Sequence, residues 1–165
     1  MENYWDTVKL IDLVTHTDDR GWLIEVLRQT DKHFTKFGQI YSVGDMMPGT
    51  VRAYHRHFVL WDWFFIANGS AKFVLLDNEE ALNTISKTKD LQCNIDPSKI
   101  KVFHIHARTP KILVVPPTIW HGWMSLEPNT VLISTASEVY NREKPDEERI
   151  RYDIIGKDVW KIQYK

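Results

Sequence analysis

Residues 51–69, VRAYHRHFVLWDWFFIANG, place His55 and His57 two apart and Asp62 five further on, in a run that is otherwise largely apolar. An imidazole titrates near neutrality, so it can carry a proton in catalysis or coordinate a divalent transition metal. A carboxylate beside it can orient the ring or complete a ligand set. His121, within PPTIWHG at residues 116–122, is a further candidate of the same chemistry. Three uses are open to this set: acid/base groups, metal ligands, or polar residues whose hydrogen bonds packing has satisfied. Packing is the ordinary reading of an isolated His-x-His. Imidazole serves both remaining uses, so spacing alone leaves them open.

On a β-strand, residues i and i+2 share a face, which points His55 and His57 the same way and Arg56 the other. A turn after His57 lets Asp62 begin the next strand and face back toward them. The rest of the chain repeats this kind of element. TVKLIDLVT, GWLIEVLR, GQIYSVGDM, TVRAYHRH, DWFFIAN, SAKFVLLD, KVFHIHA, KILVVPP and NTVLISTAS are rich in β-branched and aromatic residues. DDRG, MMPGT, NGS, PPT, EPNT and KPDEE supply the turn residues between them. The pattern predicts an all-β sandwich or barrel, with residues 1–165 forming a single domain. Only residues 77–97 break the rhythm, as a polar connection with at most a helical turn. A short helix is expected around DKHFTKF or KPDEERI.

Charge is nearly balanced, with 21 basic and 22 acidic residues and no long single-sign block, which argues against a nucleic acid or an anionic membrane as partner. No apolar run approaches the roughly 20 residues of a membrane span. The lone Cys93 has no intramolecular disulfide partner, and the charged start MENYWDTVKLIDL lacks an apolar signal core, so a reduced, cytoplasmic setting is expected. Seven tryptophans supply both core volume and flat surfaces for stacking.

The spacing from Gly49 through His55, His57 and Asp62 to Gly69 resembles the first motif of the cupin superfamily, with Asp where that motif has Glu. PPTIWH resembles the second, with Thr118 where it prefers Gly and Ser125 where it prefers Asn. DDRGWLIEVLR, at residues 18–28, resembles the Asp-x-Arg-Gly-x-x-x-Glu signature of dTDP-4-dehydrorhamnose 3,5-epimerases. TVRAYHRH, LVVPPTIWHGW and SEVYNREKPDEE resemble further segments of that family in the same order, so the likeness spans about residues 12–155. The elements YHRH, DWFF, PPTIWHG and YNREKPDEER are closer still to a divergent, epimerase-like branch.

This resemblance implies a cupin-type double-stranded β-helix, a jelly-roll barrel with one or two short helices. It also implies 3- and/or 5-epimerisation of a nucleotide-linked 4-keto-6-deoxysugar through an enolate, without a metal or other cofactor, in polysaccharide or deoxysugar biosynthesis. His55 matches the base that removes the proton alpha to the ketone. Arg52 and His121 match positions lining the sugar pocket. Arg20 and Glu25 match residues reaching the nucleotide, at an end of the site completed by N-terminal strands, about residues 6–30, exchanged with a homodimer partner. Trp120, Trp123 and Tyr140 would flank the sugar or base.

Three departures stand out. The family's proton-donating tyrosine falls at Ser134, and its enolate-holding lysine falls near Asp62. The aspartate that orients its catalytic histidine lies in a C-terminal region this chain largely lacks, so Asp62 would take over that role, keeping His55 or His57 protonated. His55 and His57 also resemble the His-x-His of sugar-nucleotide 3,4-ketoisomerases. Two other readings compete: a metal cupin using His55, His57, Asp62 and His121, and a binder of saccharides or sugar nucleotides without catalysis.

Overall fold

The computed structural model describes residues 4–77 and 95–163. Residues 78–94, most of the expected polar connection with Cys93, lie outside that range. The strands are β1 (Lys9–Asp12), β2 (Thr15–Asp18), β3 (Gly21–Ile24), β4 (Gln39–Val43), β5 (Val51–Arg56), β6 (Asp62–Asn68), β7 (Ser70–Leu76), β8 (Ile100–His106), β9 (Lys111–Val115), β10 (Trp120–Ser125), β11 (Val131–Ala136) and β12 (Glu148–Arg149). Two five-stranded sheets, ordered β1-β9-β6-β11-β4 and β12-β5-β10-β7-β8, form the jelly roll, and β2 and β3 form a separate hairpin. All the strand pairs are antiparallel.

Alternation decides what each sheet presents. From β6, Phe64 and Ile66 face inward and meet Phe73 and Leu75 of β7 and Trp123 of β10 in a core between the sheets. The opposite faces are covered as well. Trp63, Ile112 and Val114 pack under Val26, Leu27 and Phe34 from the N-terminal segment. Tyr54, Val74, Leu76 and Trp120 pack under Ile154 and Trp160 from the C-terminal segment. Burial on both faces explains why β7 and β10 are buried along their whole length and why SAKFVLL reads as a continuous run rather than an alternation. The Lys72 ammonium donates to the Val159 and Lys161 carbonyls at 3.0 and 2.8 Å, fastening the C-terminal segment to that face.

Two local expectations are corrected. No α-helix forms among the described residues; the helical turns are short 3-10 turns at Tyr4–Thr7, Pro97–Lys99 and Asp158–Trp160. KPDEERI instead supplies β12, whose pairing with β5 draws it into extended backbone, and DKHFTKF is turn and loop. The segment WHGWMS, read only as a motif, is the central strand β10.

The register between β5 and β10 positions the site. His121 lies opposite His55 and Trp123 opposite Arg52, three steps along β5 against two along β10, which marks a bulge. A bulge re-aims the side chains that follow it, and here Arg52 joins His55 on the cavity side. Gly122 permits the close approach, because a Cβ there would overlap the Ala53 methyl and lie 2.7 Å from its Cα. Gly122→Ala therefore forces β5 and β10 apart at the histidine pair. We expect a loss of roughly 1–3 kcal/mol, as for overpacked cores, and a fall in Tm of about 3–10 °C. An unchanged thermal midpoint would show that the strands tolerate the methyl group.

Candidate active site

The turn between His57 and Asp62 is held from a distant part of the chain. The Asp146 carboxylate accepts the backbone N–H groups of Phe58, Val59 and Leu60 at 2.9, 3.1 and 3.1 Å. Charge-assisted bonds of this kind are stronger than neutral ones. The backbone carbonyl of Asp146 meanwhile accepts from Nδ1 of His57. Ser137 completes the clamp, since its hydroxyl oxygen accepts from Trp61 N at 2.9 Å.

A carbonyl oxygen can only accept, so the His57 proton sits on Nδ1, leaving Nε2 with a lone pair when the ring is neutral. The same reasoning applies to His121, whose Nδ1 donates to the Ile119 carbonyl at 3.0 Å. Both Nε2 atoms point at one oxygen: Asp62 Oδ2 lies 3.6 Å from each. Asp62 Oδ1 accepts from the Ser134 hydroxyl at 3.0 Å. Among the described residues, buried Nε2 of His121 has no hydrogen-bond partner. Two lone pairs and a carboxylate facing one another repel, so this point in the fold favours an added proton or a cation. His55 stacks edge-on against His121, ring centroids 4.1 Å apart, and stands 5.5 Å from His57. Ligand nitrogens of His55, His57 and His121 lie within 4.8 Å of one another, a donor set suited to a divalent transition metal.

Electrostatics separates the roles. Burial pushes the Asp62 carboxyl up to about 6, with His57 and Ser134 opposing the rise. Burial, then the neighbouring His57, pushes His55 down to about 4. His121 is held well below the usual histidine range by burial and by His55 and His57. His55 is consequently a neutral imidazole at neutral pH, free to accept a proton. Asp62 approaches His57 and His121, while His55 is backed by His121, so Asp62 reaches His55 only through its neighbours.

His55, His57 and Asp62 open onto a cavity of about 740 Å³ between the sheets, joined by Arg52, Trp123 and Tyr140. His121 sits behind His55, buried, with its ring packed against the His55 imidazole. Trp120 is corrected to the far face of β10: it neighbours His121 in sequence, so alternation turns it outward, where the Arg56 guanidinium stacks on it. Arg20 and Glu25 lie outside this chain's cavity. Arg20 is at the exposed tip of the β2–β3 hairpin, paired with Asp18, and Glu25 pairs with Arg28. Sequence reasoning missed Tyr41, Glu147 and Arg149, which also line the cavity. Glu147 and Arg149 were within reach, since they alternate inside the quoted YNREKPDEER. Tyr41 carries no motif signal, and only the pairing of β4 with β11 reveals it, opposite Ser134.

Comparison with known proteins agrees with this fold. The chain is 33% identical over 164 residues to the spore coat polysaccharide biosynthesis protein SpsL of Bacillus subtilis, covering 97% of this chain and 99% of that one. It is 30% identical over 156 residues to the probable low-salt glycan biosynthesis epimerase Agl13 of Haloferax volcanii, covering 93% and 91%. Among solved structures, QdtA, a sugar 3,4-ketoisomerase of Thermoanaerobacterium thermosaccharolyticum in complex with TDP, superposes with a TM-score of 0.64 at 23% identity, over 88% of this chain and 89% of that one. No protein-family model matches the chain.

Asp62 gives a stability test. Its folded pKa, about 6, lies above the ordinary carboxylate value of 3.8, so the folded state binds the proton more tightly and the ionised form destabilises the fold. That cost is complete above the folded pKa and vanishes below about pH 4. Asp62→Asn removes it and offers an amide donor to an Nε2 lone pair. We expect a gain on the order of 2–3 kcal/mol at pH 8, seen as a Tm raised by roughly 5 °C. The advantage should close as pH falls from 6 to 4. An Asn variant less stable than the parent at pH 8 would show that Asp62 is held by a cation.

Proposed function

Because the chain belongs to the dTDP-4-dehydrorhamnose 3,5-epimerase-like cupins, the family of sugar-nucleotide epimerases and isomerases, we propose that it epimerises a nucleotide-linked 4-keto-6-deoxysugar at C3, C5 or both. The observation that carries this reading is His55, a neutral imidazole on the wall of a sugar-sized cavity, backed by His121 and facing open space. The C4 ketone acidifies its neighbouring C–H bonds, since loss of the proton gives an enolate. His55 takes that proton as general base. Arg52, on the same wall through the β5 bulge, offsets the enolate charge. Trp123 and Phe64 supply apolar surface for the sugar ring. The setting is glycan biosynthesis, in line with both relatives.

The reaction as proposed needs no metal; the three imidazoles and Asp62 would be ligands in a metal-dependent alternative, which elemental analysis of unchelated protein tests by finding one metal per chain. A 3,4-ketoisomerase is the second reading, favoured by His55 and His57 facing one cavity together, since two bases could shuttle a proton between adjacent carbons.

The nucleotide end is proposed to come from a second copy. The β2–β3 hairpin pairs with neither large sheet, and it exposes Trp22 by 68% and Leu23 by 58%, an apolar surface that suits a partner's cavity mouth. Arg20 at its tip carries a planar, permanent cation suited to a diphosphate. In this assembly the enzyme works as a homodimer in the cytoplasm.

Incubation in D2O with dTDP-linked 4-keto-6-deoxyglucose, followed by NMR, should show deuterium at C3, C5 or both together with inverted product. His55→Asn should slow that exchange at least 100-fold, the lower end of general-base contributions. Movement of the carbonyl to C3 would establish the ketoisomerase instead, and tight binding without exchange would leave a non-catalytic binder. Light scattering should give twice the chain mass, and Arg20→Ala should raise KM about tenfold with little change in kcat. A monomer with unaltered KM would contradict the exchanged hairpin.

A further inference from the structure

Inversion of a carbon needs two groups on opposite faces of the ring: one to remove the proton and one to return it. The base His55 stands on the β12-β5-β10-β7-β8 sheet. The acid must then come from the facing sheet, β1-β9-β6-β11-β4, and it must carry a proton at neutral pH. Ser134 of β11 is on that wall, but an aliphatic hydroxyl is a poor donor, and its proton is engaged with Asp62 at 3.0 Å. One strand over, Tyr41 of β4 lies directly opposite Ser134 in the ladder. Tyr41 also lines the cavity.

We propose that Tyr41 is the catalytic acid, delivering its phenolic proton to the enolate carbon on the face opposite His55. The assignment rests on the epimerase reading and names a residue for its second half-reaction. His55 breaks the C–H bond by taking the proton, leaving imidazolium and enolate. Tyr41 O–H then gives its proton to the same carbon, forming the new C–H bond and leaving phenolate. A proton passes from imidazolium to phenolate through solvent in the open cavity, and both groups return to their starting states. No oxidant or reductant enters.

The surroundings suit the task. Burial, and then the negative charge of Asp62, push the Tyr41 phenol up to about 12, so it stays protonated throughout the neutral range. Arg52, which lines the same cavity, opposes that rise. Even a phenol of this strength is a far stronger acid than the α-carbon it protonates, so delivery is downhill. The other phenols fit less well. Tyr140 lies beyond the end of β11, in no strand of the facing sheet, and Tyr54 is turned to the outer face of its sheet against Trp160.

The test separates proton removal from proton return. In D2O with the same 4-keto sugar nucleotide, Tyr41→Phe should still exchange the substrate C–H through His55 within about threefold of the parent rate, while inverted product falls at least 100-fold. Tyr152→Phe, whose ring lies outside the cavity, should keep both. A Tyr41→Phe protein that unfolds at the parent temperature and forms inverted product within threefold of the parent rate would overturn the assignment, as would loss of inversion in Tyr140→Phe instead. Should the parent protein itself exchange no carbon, the epimerase reading falls first and this assignment with it, a result distinct from a Tyr41 variant that exchanges but does not invert.

Discussion

The site is organised by one buried carboxylate that has to be neutralised. Asp62 is 1% exposed and faces the Nε2 edges of two imidazoles whose other nitrogens are already committed to carbonyls. A carboxylate so placed is costly when ionised, and its raised pKa records the cost. The fold therefore keeps a position where a proton is easily held, a few ångströms from an imidazole depressed enough to be a free base. Groups whose environments push their pKa values in opposite directions are the usual mark of acid/base chemistry.

Keeping that arrangement requires two pieces of backbone engineering far apart in sequence. Asp146 gathers three N–H groups of the turn after His57 and fixes the His57 tautomer with its own carbonyl. This gives the acidic end of YNREKPDEER a physical purpose: it shapes the loop that carries Asp62 back toward the histidines. The bulge of β5 against β10, made possible by Gly122, brings Arg52 onto the His55 face and presses His121 behind His55. With Asp146 absent the turn would lose its acceptor, and with a side chain at Gly122 the histidine pair would separate.

Much of this was legible in the chain. The alternation of TVRAYHRH places His55 and His57 on one face, and the strand rhythm with its turn residues gives an all-β sandwich or barrel, which the family likeness narrows to a jelly roll. Likeness to a family linked His121 to them, which spacing alone could not do, since β10 and β5 meet only through the folded topology. Other features were out of reach for definite reasons. Trp120 is expected beside the sugar or base, yet adjacent residues on a strand face opposite ways and His121 takes the inner side. Tyr41 sits in the unremarkable run GQIYSV, and only register with Ser134 shows its place. Arg20 and Glu25 lie outside the cavity of their own chain, as the proposed exchange of the hairpin with a second copy requires.

The account turns on which nitrogens carry protons. Nitrogen-15 NMR of the histidine side chains through a pH titration reads this directly. It should find His57 and His121 with the proton on Nδ1 at pH 8 and His55 neutral down to about pH 5, titrating near 4. A His55 imidazolium persisting at pH 7, or a proton on Nε2 of His121 at pH 8, would contradict the site as described and with it the assignment of His55 as the base.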